Sequence, residues 1–225
     1  MKYPIDGLSH TYLGNGVYAL LREALITGRF QPDDRLRIRD LAEQLGTSVT
    51  PVRDAILQLA KEKALILKTP RDIRVPVLTR EQYAEIRSIR LALEGLAAET
   101  AAGKVTAEQL QMLERTIRDN LEAVHNGDLI AALKLNQAFH FALADIAGMP
   151  LLRNMLDSLW MRTGPLIARA YGDFNERMAV EHHWEVLRAL EKGDGTAARQ
   201  AICTDILDGN QKMMAFIARG ESTVA

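Results

Sequence analysis

Residues 39–59, Arg-Asp-Leu-Ala-Glu-Gln-Leu-Gly-Thr-Ser-Val-Thr-Pro-Val-Arg-Asp-Ala-Ile-Leu-Gln-Leu, leave a folding chain little choice. Leu41, Ala42 and Leu45 recur at helical spacing, and Gly46 then supplies the left-handed residue that ends a helix. Thr47 or Ser48 can cap the next helix. Pro51 falls in its first turn, where a missing N–H is tolerated. Val52, Ala55, Ile56 and Leu59 form a second apolar stripe and leave Ser48, Thr50, Arg53 and Gln58 free to face other surfaces. Two short helices about a tight turn make a helix-turn-helix, whose second helix can lie in a DNA major groove.

A helix, a glycine and a helix are a weak signal alone; the flanks make it specific. A helical segment precedes it at Val17 to Gly28, and Phe30 to Leu36 reads as a loop. Leu65 to Lys68 and Ile73 to Val77 read as two short strands around the tip Thr69-Pro70-Arg71-Asp72. Three helices and a two-stranded wing predict a winged helix-turn-helix over residues 15–78, after a flexible lead-in at 1–14.

From residue 79 the pattern is helical throughout. Thr79-Arg-Glu-Gln82 and Thr106-Ala-Glu-Gln109 are capping boxes. The first opens a helix running to Gly103, the second one running to Asn126-Gly127. Asp128 caps a third that ends near Gly148. Met149-Pro150 starts a fourth, with a bend expected at Gly164-Pro165. A fifth covers about Asn175 to Glu191, and Gly193-Asp194-Gly195 turns into a sixth ending near Ala218. The fold class is therefore mainly α: the winged unit, then an all-α antiparallel helical bundle over 79–225.

The formal net charge of −1 conceals a division. Residues 1–78 hold 12 Lys and Arg against 9 Asp and Glu, and residues 79–225 hold 16 against 20, so the basic excess lies with the helix-turn-helix. Cys203 is the only cysteine, which excludes an intrachain disulfide and fits a reducing cytoplasm. No run of about twenty apolar residues occurs, and the first residues lack an apolar signal-peptide core, so neither a membrane partner nor export is expected.

Spacing also marks a site inside the bundle. Asn136 and His140 are four apart and share a helix face. His183 lies ten residues before Gly193 and Asp205 ten after Gly195, so an antiparallel helix pair brings them to one height. An amide, two imidazoles and a carboxylate suit Zn²⁺, Ni²⁺ or Mn²⁺; the alternative is a polar effector pocket without metal. His182 points about 100° away from His183 and is expected to face solvent. Met112, Met149, Met155, Met161, Met178, Met213 and Met214 are expected to fill the core, and Cys203 to be a buried small residue.

Leu41-Ala-Glu-Gln-Leu-Gly46 followed by Thr50-Pro-Val-Arg-Asp-Ala-Ile-Leu57 resembles the GntR family of bacterial transcription regulators. Arg90-x-x-Leu93-Glu94, Phe139-His140, Glu181-His182-His183 and Gly193-Asp194 resemble, in order, its FadR-type subgroup with an FCD ligand-binding domain. The resemblance covers about residues 15 to 215. It implies DNA contacts from Arg39, Ser48, Thr50, Arg53 and the wing-tip Arg71. Val49 stands where a further arginine is common, and Thr69, Pro70 and Arg71 stand where the wing glycine is usual. Many FCD domains carry an Asp and three His at the metal positions; here Asn136 replaces the Asp and Asp205 the last His. Arg90 and Arg162 are candidates for holding an effector carboxylate.

These readings predict a cytoplasmic homodimer that binds a palindromic double-stranded operator under control of a small-molecule effector, a carboxylate by preference. The alternatives are an enzyme using metal at His140 and His183, and an adaptor without DNA binding.

Overall fold

The computed structural model describes residues 13–69, 71–171 and 176–221, in two compact units. Residues 1–12 of the expected lead-in, and Pro70 of the wing tip, lie outside the described residues.

The first unit contains α1 (Leu13–Ile26), β1 (Arg35–Leu36), α2 (Ile38–Gln44), α3 (Val49–Lys61), β2 (Ile66–Thr69) and β3 (Asp72–Arg74). α1 starts four residues before the expected Val17. α2 ends as its sequence dictates: Gly46 has φ +63 with open space around it, so the requirement there is conformational rather than steric. Ser48 takes the N-cap position of α3 in extended backbone, yet its side chain makes no capping hydrogen bond. The stripe Val52, Ala55, Ile56 and Leu59 is buried as expected, and so are Leu21, Leu41 and Leu45 of the same unit.

The wing has three strands rather than two, in the order β1-β3-β2 and antiparallel throughout. The expected loop at 30–36 ends in β1, where Arg35 faces Arg74 and Leu36 faces Ile73. A two-residue strand has too little alternation to show in a sequence. It forms because Leu36 and Ile73 are both buried there. β2 pairs Leu67 with Ile73 and Thr69 with Asp72, with an irregularity between Leu67 and Thr69. β3 stops at Arg74, short of the expected Val77, and Pro76 has no N–H to continue the ladder.

The second unit is built on α4 (Arg80–Ala102), α5 (Ala107–His125), α6 (Leu129–Ile146), α7 (Pro150–Tyr171), α8 (Glu176–Glu191) and α9 (Gly195–Glu221). Both capping boxes form: Thr79 and Gln82 exchange two hydrogen bonds at 3.1 and 3.3 Å, Thr106 and Gln109 two at 2.9 and 3.3 Å. Asp128 accepts from Ala131 N–H at 3.0 Å and Asp194 from Ala197 N–H at 2.9 Å. α4 packs on α6, α8 and α9, α8 on α9 and α5, and α5 on α6. The helix starting at Pro150 runs unbroken through Gly164-Pro165 to Tyr171.

Trp160–Leu166 of α7 belongs to the first unit. Its glycine is the reason it fits: a Cβ on Gly164 would lie 2.5 Å from the Leu25 carbonyl oxygen and 2.7 Å from Ile26 Cα. Backbone cannot yield as a flexible side chain can. Gly164→Ala is expected to destabilise the protein by about 1–3 kcal/mol. Gly103→Ala, where a Cβ meets only Thr100 O at 3.9 Å, should change little. Thermal unfolding of the two variants side by side checks this; equal melting temperatures would contradict the close approach.

Candidate nucleic-acid interface and candidate metal centre

With one stripe of α3 in the core, Thr50, Arg53, Asp54 and Leu57 are left exposed and Val49 half-buried. Val49 and Arg53 line a hollow of about 720 Å³ together with Arg35, Arg37, Arg39, Asp40, Arg71 and Ile73. Arg53 also borders a second hollow of about 500 Å³, between α3 and the wing, with Leu57, Leu67, Lys68 and Thr69. Thr50 is exposed in the first turn of α3, and Ser48 precedes it at the N-cap.

The arginines divide into two groups. Arg74 pairs with Asp33 and Asp72 at 3.0 Å each, which raises its pKa through the Asp72 and then the Asp33 hydrogen bond. Arg35 pairs with Asp72 at 3.4 Å and donates to Arg71 O at 3.0 Å, tying β1 to the wing turn. These two hold structure. Arg39, Arg53 and Arg71 make no side-chain ion pair among the described residues, so the pairs with Asp40, Glu43 or Asp54 that their neighbours in sequence offer do not form. Unpaired guanidinium groups around a hollow beside α3 fit a polyanion.

In the second unit the ten-and-ten spacing about Gly193–Gly195 brings α8 and α9 together as expected. His183 Nε2 lies 3.6 Å from Asp205 Oδ1, and His140 Nε2 of α6 lies 3.3 Å from Asp205 Oδ2. The two Nε2 atoms are 3.4 Å apart, and the three residues can all offer an atom to one centre. His140 and His183 are buried, while the Asp205 side chain is 16% exposed and gives the cluster its partly open side. Phe139 stacks on His183 at 4.1 Å between ring centroids and fixes that ring's plane. His183 Nδ1 is buried without a hydrogen-bond partner.

Behind His140 stands a residue that spacing arguments missed. Glu94 of α4 accepts from His140 Nδ1 at 2.5 Å and from Arg90 Nε at 2.6 Å. The available signal was an Arg and a Glu four apart on the inward face of α4, in line with the buried Ile86, Ala97 and Ala98. Burial alone would raise the Glu94 carboxyl; Arg90 and then His140 outweigh it and hold it at about 2. Burial pulls the His140 imidazolium down, but Glu94 and Asp205 lift it to about 9. Burial dominates at His183, which falls to about 4 despite Asp205 and is neutral near pH 7. Asp205, raised by burial and lowered more by His183 and His140, sits at about 2.

Asn136 is buried one turn before His140 on α6. Arg90 is buried and pairs with Glu94 of its own helix. Arg162 lies in the 160–166 segment of the first unit, its Nε buried without a hydrogen-bond partner. His182 does not face solvent freely: Nδ1 meets Glu185 and Nε2 meets Asp208, both at 2.8 Å, joining α8 to α9. Cys203 is half-buried, with Sγ 3.6 Å from Leu91 O. Met161 and Met213 are in the core, whereas Met112 and Met155 are exposed because they fall on outward helix positions; the side chain of Met178 is outside the described residues.

Glu94→Gln keeps the shape and removes the charge. Arg90 then loses its buried partner, and a loss of about 3–5 kcal/mol is expected on denaturant unfolding. The His140 ring, followed by NMR, should deprotonate at lower pH than in the wild type. An unchanged His140 titration would mean that Asp205 alone sustains it.

The chain matches the family of bacterial regulatory proteins, gntR family, over residues 13–75 and the FCD domain over residues 85–208. It is 32% identical over 198 residues to the HTH-type transcriptional regulator McbR of Escherichia coli, covering 87% of this chain and 90% of that one. It is 24% identical to the HTH-type transcriptional repressor RspR of the same species over 83% and 82% of the two chains. The solved structure of E. coli McbR/YncC superposes with a TM-score of 0.82 at 30% identity, over 94% of this chain and 99% of that one. A winged helix-turn-helix beside three unpaired arginines, followed by a helical FCD domain, places this chain in the GntR family of DNA-binding transcription regulators.

Proposed function

We propose that this regulator is a homodimer whose affinity for a palindromic operator is set by a small carboxylate effector bound in the helical unit. The observation that carries the effector site is the convergence of His140, His183 and Asp205 in a buried cluster. Donors around a tetrahedral ion with bonds of about 2.0–2.1 Å lie roughly 3.3–3.4 Å apart; here the two Nε2 atoms are 3.4 Å apart, and Asp205 turns one oxygen to each ring, Oδ2 3.3 Å from His140 Nε2 and Oδ1 3.6 Å from His183 Nε2. Two imidazoles and a carboxylate suit Zn²⁺, Ni²⁺ or Mn²⁺. His140, His183 and Asp205 would hold the ion, with Glu94 orienting His140 through Nδ1 as a carboxylate behind a metal-bound histidine does. The ion would supply open coordination positions for an effector carboxylate. Asn136, a neutral amide, is at best a weak fourth ligand. Arg90 acts through Glu94.

The proton state of the site gives a test that needs no effector. Near pH 7 His140 carries a proton on Nε2, while His183 and Asp205 are already in their ligating forms. Uptake of Zn²⁺ by the metal-stripped protein should release about one proton at pH 7, and affinity should fall as pH drops. Calorimetry in buffers of different ionisation enthalpy counts that proton. His183→Ala should abolish uptake. A wild-type protein that takes up no Zn²⁺, Ni²⁺ or Mn²⁺ would leave the cluster a polar pocket.

DNA contacts are assigned to Arg39, Ser48, Thr50, Arg53 and Arg71. Arg53→Ala is expected to weaken specific binding by about 1–3 kcal/mol, as for loss of a base contact, and Arg71→Ala to lower affinity evenly across sequences. The wild type should bind as a dimer and lose affinity steeply with salt. Light scattering and salt-dependent binding assays check both. A monomer that holds DNA equally at low and high salt would contradict the reading.

A further inference from the structure

We propose that Val49 reads the methyl group of a thymine in each operator half-site, making it a specificity-determining residue beside the base contacted by Arg53. This rests on α3 being the helix that enters the major groove, which the family establishes in kind and the exposed face of α3 supports. Val49, Arg53 and Leu57 are spaced by four and form one stripe of that helix. The core stripe, Val52, Ala55, Ile56 and Leu59, runs alongside it and leaves Val49 half-buried at the edge of the exposed face. Val49 is the first residue of α3, at the end of a recognition helix that approaches base edges most closely. It shares the arginine-lined hollow with Arg53, Arg39 and Arg71. Arg39 and Arg71 can fix the helix against phosphates on either side, which positions Val49 without giving it any polar work.

A valine side chain has no donor or acceptor, so it cannot read the hydrogen-bonding edge of any base. The C5 methyl of thymine is the apolar group that a base pair presents in the major groove. Guanine, with two acceptors, is served by the longer Arg53 on the next turn. Four residues of helix span about 6 Å, and base pairs are about 3.4 Å apart. The thymine should therefore lie roughly two base pairs from the base under Arg53.

The test uses the full-length wild-type protein. Binding-site selection from a random duplex pool defines the half-site, in which a thymine is expected about two base pairs from a guanine. Replacing that dT by dU in both half-sites removes only the two methyl groups. Affinity should drop about fourfold per half-site, the worth of one buried methyl, whereas dU placed between the half-sites changes nothing. Val49→Ala should bind the dT and dU operators equally. Val49→Thr, which keeps a methyl group, should still distinguish them. Each comparison is a ratio on one protein, so a change in folding cancels. Equal binding of dT and dU operators by the wild type, or undiminished discrimination by Val49→Ala, overturns the assignment of Val49. Failure to enrich any sequence would instead overturn the DNA-binding reading beneath it.

Discussion

Glu94 divides its two oxygens between Arg90 at 2.6 Å and His140 at 2.5 Å, and the interior of the helical unit depends on that division. A carboxylate 1% exposed would cost several kcal/mol to desolvate if it stood alone. Here it is answered twice, and His140 is answered again by Asp205. Removing Glu94 takes from Arg90 and His140 the anion they share, so the three groups are coupled. The pairing also sets register: α4 is tied to α6 through Glu94 and His140, and α6 to α9 through His140 and Asp205. Phe139, one residue before His140, holds the His183 ring of α8 against the same point.

Much of this was legible because it is local. Capping boxes at Thr79 and Thr106, caps at Asp128 and Asp194, and the left-handed Gly46 are decided within a few residues, and each formed. The meeting of His183 and Asp205 was legible because one turn fixes an antiparallel helix pair. What escaped depends on distant partners. β1 exists only because β3 lies beside it. Glu94 acquires its role from a histidine 46 residues away, and His182 is drawn from solvent by Asp208 on the next helix. The Ser48 cap failed for the opposite reason: position alone gives a capping residue the opportunity, while its side chain answers to the local geometry.

The basic surface of the first unit follows from pairing more than from counting. An excess of three positive charges over residues 1–78 is small. Asp33 and Asp72 are engaged with Arg74 and Arg35 inside the wing, so the neutralised arginines are those that build the sheet. Arg39, Arg53 and Arg71 line the hollow beside α3 and make no side-chain ion pair among the described residues. Paired arginines and those without an ion pair among the described residues are thereby separated on one small domain, and a modest net charge suffices for the proposed DNA contacts.

Charge balance at the histidine centre bears on what the proposed effector must be. Without metal, Arg90 and protonated His140 are matched by Glu94 and Asp205, and His183 is neutral. These five groups balance, which is the condition for burying them together. Replacing the His140 proton by a divalent ion adds one net positive charge to a site that is mostly closed to water. A bound monocarboxylate restores the balance, while a neutral ligand leaves the excess in place. Asn136 contributes no compensating anion, and Asp205, already counted, lies on the side that is 16% exposed. In the proposed site Asp205 would therefore be the one anionic ligand, placed on the side by which an anion would enter.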